Sequence, residues 1–308
     1  MSVLVLGAGP VGSTVTRAFL DRGEGVTVAT RSGTAREGAT SVRLNAADAD
    51  ALTRAATGHS TIVVCTNPPY NTWRRDWPPI VDAVIGAART TGADVVMIGN
   101  LYSYGRATMP MRESSPERPA DSKGEVRRDL WASLREATSR GDLRAVEVRA
   151  SDYFGPGAAD DAHLGTRFFD PILASKRSWA VGNPTLAHSW AYLPDMASTV
   201  LAASSYVGEW GRIWHVPAAT NLSRTDICRV VNERYGVRGS ISGIPAWVLS
   251  GIGRVNPVLG EVSKSSYQFR APFLSESTET ERELHVQATL WHQALDDTVA
   301  YYRSGRSA

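Results

Sequence analysis

Two textures of apolar residues alternate through the first half of the chain. Short, nearly continuous runs such as Val3-Leu4-Val5-Leu6 and Val95-Val96-Met97-Ile98 are bounded by glycine and polar residues. Between them lie longer stretches in which apolar residues recur every three or four positions, as Val11, Val15, Ala18 and Phe19 do. Runs of the first kind predict strands at 2–6, 25–30, 41–44, 61–65, 94–99 and 143–149. Stretches of the second kind predict helices near 11–22, 48–57, 76–91 and 122–140. A strand apolar on both faces must be covered on both, so the alternation predicts a parallel sheet with crossover helices.

After Gly155-Pro156-Gly157 the pattern changes. Helical stretches are expected around 162–175, 195–205, 223–235 and 285–303, mixed with loops rich in Pro, Gly and Trp. Ser223-Arg224-Thr225-Asp226 has the Ser-x-x-acid form of a helix start. The segment from Thr108 to Ser122 carries three prolines and is long enough for a flap over a site or for a plain surface excursion. The expected division is a first domain over 1–155 and a smaller lobe over 156–308, with segments near 178–220 returning to the first. The last residues, from Arg303 to Ala308, are expected to fray.

Composition narrows the function classes. A chain of 308 residues can bury a large core, and 43% hydrophobic with 21% charged residues is ordinary for a soluble globular protein. A net charge of +2 with scattered Lys and Arg gives no field suited to nucleic acid or an acidic membrane. No apolar run reaches the ~18 residues of a membrane span. The apolar N-terminus lacks a positive leader and is used as a strand, so no signal peptide is read. Cys65 and Cys228 are too few for a disulfide framework. A cytoplasmic protein is expected.

The chemistry begins at the first strand, which empties into Gly7-Ala8-Gly9-Pro10-Val11-Gly12. Gly-x-Gly-x-x-Gly between a strand and an amphipathic helix is the setting of a dinucleotide-binding turn. Gly7 permits the tight turn, Gly9 has no side chain to hold a pyrophosphate off the backbone, and Gly12 lets the helix lie close to the strand. Unpaired N–H groups of the helix start, Pro10 and Val11 among its residues, then face the phosphates. The second predicted strand ends in Thr30-Arg31-Ser32-Gly33. There a carboxylate would hold a ribose 2′-hydroxyl and an Arg accommodates a 2′-phosphate. A guanidinium ~4 Å from a phosphate gains about 4 kcal/mol at an effective dielectric of 20, before desolvation. NADP(H) is therefore expected over NAD(H), with a solvated surface Arg31 as the alternative. The expected fold is α/β, a Rossmann-type doubly wound parallel sheet with a smaller C-terminal substrate lobe.

Several later segments resemble the extended short-chain dehydrogenase/reductase family, the group of nucleotide-sugar epimerases and dehydratases. Asn67-Pro68-Pro69 follows the fourth strand, and Gly99-Asn100-Leu101-Tyr102-Ser103-Tyr104-Gly105 resembles the family's Ser-Ser-x-x-Val-Tyr-Gly. Arg149 through Gly157 resembles its Arg-Pro-x-x-x-x-Gly-Pro-Gly, and Tyr192-Leu193-Pro194-Asp195-Met196-Ala197 its Val-x-Asp-Val-Ala helix start. Arg212 to Val216 resembles a late strand. The likeness extends over roughly residues 3–236. It implies a nicotinamide cofactor, with Asn67 and Pro68 beside its ribose, a small-molecule substrate, and a homodimer through the helices near 76–91 and 122–140.

The resemblance also implies a Ser, a Tyr and a Lys four residues after the Tyr. Lys123 matches the Lys, but Pro119 stands at the Tyr position and Asn100 at the Ser position. The chain is thus similar to an atypical subgroup lacking the Tyr. Positioned acid–base catalysis contributes about 10² to 10⁴ in rate, so an efficient carbonyl reductase needs another proton donor. Tyr102 and then Tyr153 are the candidates, each with a packed aromatic as its plain alternative. His188, Trp190 and Tyr192 are candidate substrate contacts, and no histidine pair has metal-ligand spacing. His285 and His292 are expected on one helix, about 10.5 Å apart.

The leading expectation is an NADP(H)-dependent oxidoreductase acting on a carbonyl or conjugated alkene. Lys123 would anchor the ribose, and Asn100 would hydrogen-bond the substrate oxygen. The alternatives are a redox-neutral epimerase, dehydratase or isomerase, and a nucleotide-binding sensor without catalysis.

Overall fold

The computed structural model describes residues 2–106, 109–158, 162–244 and 265–305. Trp247, one of the tryptophans of the second half, lies outside them. Seven parallel strands form the central sheet: β1 (Ser2–Leu6), β2 (Gly25–Thr30), β3 (Thr40–Arg43), β4 (Thr61–Val64), β5 (Asp94–Asn100), β6 (Ala145–Ala150) and β10 (Ile213–His215). Their order is β10-β6-β5-β4-β1-β2-β3. The chain moves outward one way from β1 through β2 to β3, and the other way from β4 onward. The ends of β1 and β4 therefore diverge, and a crevice opens at that switch point.

Period-two alternation decides which helices each strand residue meets. Leu4, Leu6, Ile62, Val64, Val95 and Met97 share a core with α2 (Ala49–Ala56), α3 (Trp73–Thr91) and α4 (Ser122–Ser139). Val3, Val5, Val63, Val96, Val146 and Val148 share the opposite core with α1 (Pro10–Asp21) and α6 (Leu193–Ser204). The doubly wound Rossmann-type sheet expected from the sequence is the one observed.

α3 begins three residues before its predicted start, although Pro78 and Pro79 lie inside it. Its first turns are held by burial of Trp73 and Trp77, at 2% and 0% exposure. The smaller lobe gathers α5 (Thr166–Leu173), α7 (Arg224–Tyr235) and the last helix around Phe154, Phe168, Phe169, Trp190 and Leu295. Short strands β7 (Tyr153–Phe154), β8 (Arg177–Ala180), β9 (Trp190–Tyr192), β11 (Ala218–Thr220) and β12 (Ser240–Gly243) form two small sheets there.

The single helix expected over 285–303 is instead two pieces, α8 (Thr278–Leu284) and α9 (Trp291–Arg303). His285 caps α8 in a left-handed conformation, φ 53°. The N–H and hydroxyl of Thr289 are then spent on the carboxylate of Asp195, at 2.9 and 2.6 Å. A residue whose N–H is claimed by a side chain on another helix does not extend its own. His285 and His292 consequently sit on different elements.

Candidate active site

A cavity of about 1180 Å³ runs along the carboxyl ends of β1, β2, β4, β5 and β6. It is larger than the ~1,000 Å³ upper range of pockets for one drug-sized ligand. Gly7, Gly9, Pro10 and Val11 line its centre, Arg31 one end, and Asn67, Pro68, Asn100, Tyr102 and Tyr153 the other.

The glycine turn has the geometry of a phosphate cradle. Gly7 has φ 104°, and a Cβ on it would stand 2.9 Å from the Thr66 backbone. Gly12 packs against the Gly7 carbonyl and leaves no room for a side chain, so α1 starts hard against the loop. Gly9 is the opposite case, because a Cβ there would meet nothing within 4 Å. That open space belongs to the cavity Gly9 lines. α1 carries Pro at its start, no side-chain cap and no acidic residue in its first turn. Its free N–H groups and partial positive charge are thus left for an anion.

At the end of β2, Arg31, Ser32 and Thr34 line the cavity without a carboxylate beside them on that strand. Ser32 Oγ lies 2.5 Å from Thr34 Oγ1, and the Thr34 N–H donates to Thr30 Oγ1 at 3.0 Å. Arg36 reaches in behind them, donating to Ala8 O at 2.6 Å and Ser13 Oγ at 3.1 Å. Asp76, from α3, also lines the cavity and feels the Arg31 charge, so hydroxyls, a guanidinium and a carboxylate meet at this end.

The other end is built from four elements. Asn100 Oδ1 accepts the Tyr102 N–H at 3.1 Å, which turns the side-chain NH₂ toward other partners. Tyr102 is buried, and burial, then the neighbouring Tyr70 and Asp152, pushes its phenol well above the ordinary value. Lys123, placed by the Asp121 cap of α4, is 3% exposed and does not line the cavity. Its ammonium stands 4.0 Å from Asp121 Oδ2 and 5.5 Å from the centre of the Tyr70 ring. The cation of α4 that does line the cavity is Arg127, one turn later. Arg127 donates to Ile98 O at 3.0 Å and Asn67 Oδ1 at 3.5 Å. Its guanidinium is packed on Trp73 and Trp77, 4.8 and 4.6 Å from their ring centres.

Three residues complete this end, of which only His188 is among the candidates named from the sequence. Asp152 and Gln268 line the cavity, and His188 stands behind Asp152, its Nε2 2.8 Å from Oδ2. That contact favours the ionised carboxylate, whereas the buried Gln268 Oε1 has no hydrogen-bond partner among the described residues. Burial alone would raise Asp152, but His163, His188 and Arg224 outweigh it and hold the carboxyl below its usual range. It is ionised at neutral pH. His188 is stacked on Phe269 and Phe273, 5.1 and 5.2 Å between ring centres, and is 2% exposed.

Trp190 and Tyr192 are buried beside this end but do not line the cavity. Trp190 donates to Leu222 O at 3.0 Å and Tyr192 to Asp297 at 3.2 Å, both within the smaller lobe. Arg74 and Arg75, near the cavity mouth in sequence, are exposed and paired with Glu125 and Asp76. Cys65 lines the cavity, yet burial pushes its thiol up to about 12, so it is no nucleophile at neutral pH.

The family model of the NAD dependent epimerase/dehydratase family matches residues 3–216. The chain belongs to that family. Solved structures agree in fold across the whole length. A UDP-glucose 4-epimerase of Thermotoga maritima, in complex with UDP-glucose, superposes with a TM-score of 0.82 at 15% identity, covering 100% of both chains. The dTDP-glucose 4,6-dehydratase DesIV of Streptomyces venezuelae, with NAD and TYD bound, gives 0.78 at 18% identity, covering 99% of this chain and 98% of that one. A UDP-glucuronic acid 4-epimerase of Bacillus cereus, with UDP-glucuronic acid and NAD, gives 0.80 at 15% identity and 99% of both. A comparison with curated protein sequences finds no match. Among the described residues, no helix is long and apolar enough to cross a membrane.

Proposed function

We propose that the protein is a nicotinamide-dinucleotide enzyme that oxidises a hydroxyl-bearing carbon of a small molecule and reduces it again, with no net redox change. The observation that carries this reading is the single cavity joining the glycine cradle to the ionised carboxylate of Asp152. The residues present fit the coenzyme: Gly7, Gly9, Val11 and the start of α1 hold its diphosphate, Arg31 with Ser32 and Thr34 its adenosine end, Asn67 and Arg127 its other half. The hydroxyl cluster and Arg31 favour NADP(H), whereas two of the similar structures named above carry NAD. A bound nicotinamide supplies a hydride acceptor that becomes a donor on return.

The chain's own groups manage the proton. The substrate hydroxyl gives its proton to the Asp152 carboxylate as its carbon loses hydride, and Asp152 returns it when the carbon is reduced. Asn100 donates its amide hydrogen to the same oxygen and orients it. Tyr102, with its phenol held protonated, serves as a hydrogen-bond donor and not as the base. Lys123 acts through Tyr70 and Asp121, and Tyr153 forms wall beside Asp152.

The sequence alone favours a reductase. That reaction needs a group that delivers a proton to the carbonyl oxygen, and burial, which pushes Tyr102 upward, makes its phenol a poorer donor. Family membership likewise supports the redox-neutral reaction. The test is incubation with a small amount of NADP⁺ and a panel of neutral polyols and amino sugars. Epimerised or dehydrated product without net change in coenzyme absorbance is expected. Stoichiometric consumption of NADPH by a carbonyl panel, with no redox-neutral product, would overturn the reading.

A further inference from the structure

Lys123 is 3% exposed, and its ammonium stands 5.5 Å from the centre of the Tyr70 ring. Tyr70 lines the cavity, whereas Lys123 does not. The two come from separate segments: Tyr70 from a 3-10 turn over Tyr70–Thr72 between β4 and α3, Lys123 from the first turn of α4. A phenol on the cavity wall thus has a buried cation beside it, although nothing in their sequence spacing joins them.

The Tyr70 ring is held by its packing. Trp73 lies 5.0 Å from it and 6.4 Å from the Tyr102 ring, centre to centre. Trp73 is itself 2% exposed, and its indole N–H donates to Pro68 O at 2.9 Å. Burial first, then the charges of Tyr70 and Asp152 and a hydrogen bond to Tyr70, push the Tyr102 phenol up. A hydrogen bond raises a phenol when the protonated form is its donor, so Tyr102 gives its hydrogen to the Tyr70 oxygen. Arg127, one turn beyond Lys123, is lowered by burial, while Glu147, Tyr70 and Tyr102 act to keep it charged. Two cations of α4 and one hydroxyl donor therefore surround Tyr70. The carboxylates near them are placed less directly: Asp121 lies 4.0 Å from the Lys123 ammonium and offsets part of its charge, and Asp76 of α3 is paired with Arg75.

We propose that Tyr70 is a second acid–base residue of this site, a phenol that Lys123 and Tyr102 prepare to exchange its proton with a polar group bound against it. A cation within about 4–6 Å favours the ionised form of an acid by about 1–3 pH units, and a donor to its oxygen favours that form further. In the reversible reaction proposed above, Asp152 takes the proton of the hydroxyl that is oxidised. Tyr70 serves a second hydroxyl or ammonium group of the same substrate. As phenolate it takes that group's proton, and as phenol it returns one, an O–H bond of Tyr70 forming as the substrate's bond breaks and the reverse. This use of Tyr70 rests on that reading, but its ionisation is measurable without any ligand.

The test is a pH titration of the full chain that follows the ultraviolet absorbance of tyrosinate. Burial pushes Tyr102, Tyr104, Tyr192, Tyr235 and Tyr267 up, so a phenol that ionises early stands apart from them. The wild type is expected to show one tyrosine ionising at least about one pH unit below the ordinary ~10. Tyr70→Phe keeps a ring against Trp73 and should lose that step alone. Lys123→Met should move it up by about one pH unit, and Tyr102→Phe should move it up by less. Absence of an early step in the wild type, or its persistence in Tyr70→Phe, overturns the proposal and leaves the glycine cradle and Asp152 as they are. An early step that stays in place in both Lys123→Met and Tyr102→Phe overturns it as well. Failure of folded wild-type protein to bind NADP⁺ instead overturns the coenzyme reading, whatever the titration shows.

Discussion

Gly9→Ala separates a structural glycine from one that makes room for a ligand. Gly9 has φ −71° and ψ −174°, extended backbone that alanine adopts freely, and its added methyl would meet nothing within 4 Å. Restricting the unfolded chain contributes about 0.4–1 kcal/mol of stability. Alanine at a helix N-cap loses about as much. The two offset, and a chain of 308 residues has an unfolding entropy near ~0.65 kcal/mol/K. The apo protein should therefore melt within about 2 °C of the wild type. Coenzyme at about 100 times its Kd stabilises the wild type by ~2.7 kcal/mol, a shift of about 4 °C. In the variant the methyl occupies the space the diphosphate needs. Overpacking costs about 1–3 kcal/mol, so a mid-range ~2 kcal/mol weakens binding roughly thirtyfold and leaves a shift of about 1 °C. Melting curves of both proteins with and without NADP⁺ read all four numbers. An apo variant as stable as wild type that also keeps the full coenzyme shift would refute the cradle, because a methyl in the cavity would then cost nothing.

Two further substitutions probe the other end of the sheet and its core. Arg127→Met should weaken NADP⁺ binding at least tenfold and change Trp fluorescence through Trp73 and Trp77, whereas Lys123→Met should weaken it less; the reverse ranking in a titration would return the anchoring role to Lys123. His215 donates from Nδ1 to Glu276 O at 2.8 Å and accepts from the Tyr104 hydroxyl at Nε2, also at 2.8 Å. Burial pushes it down to about 3, from 6.5. Between those values the unfolded chain binds a proton that the folded chain refuses, so this contribution is complete above about pH 6.5 and falls as pH drops toward 3. The slope reaches about 1.4 kcal/mol per pH unit. Urea melts of His215→Gln from pH 7 to 4 should show a flatter dependence, and an unaltered slope would place the titrating group elsewhere.

The features legible in the sequence are those set by neighbours along the chain. Val3 to Gly12 contains a strand, a turn and a helix start within ten residues, and Arg31 directly follows the strand paired beside it. Asp152 and Gln268, at the far end of the cavity, have no such local signal. Asp152, His188 and Gln268 meet only because β6, the turn before β9 and the Ser265–Phe269 turn converge. Arg127 carries no local signal because the choice between it and Lys123 depends on the rotation of α4. That rotation is fixed by the Asp121 cap and by Gly124, which lies too close to the Tyr102 carbonyl for any side chain. The break between α8 and α9 was hidden for a related reason. Residues 285–290 carry an acceptable helical pattern, and it is Asp195, on α6, that claims the N–H of Thr289.

The most direct measurement is a calorimetric titration of the wild type and of Arg31→Asp with NADP⁺ and with NAD⁺. The account predicts one NADP⁺ per wild-type chain, bound at least about tenfold more tightly than NAD⁺, with that preference lost or inverted in the variant. No heat from either coenzyme with folded wild-type protein, or the same preference in both proteins, would contradict it.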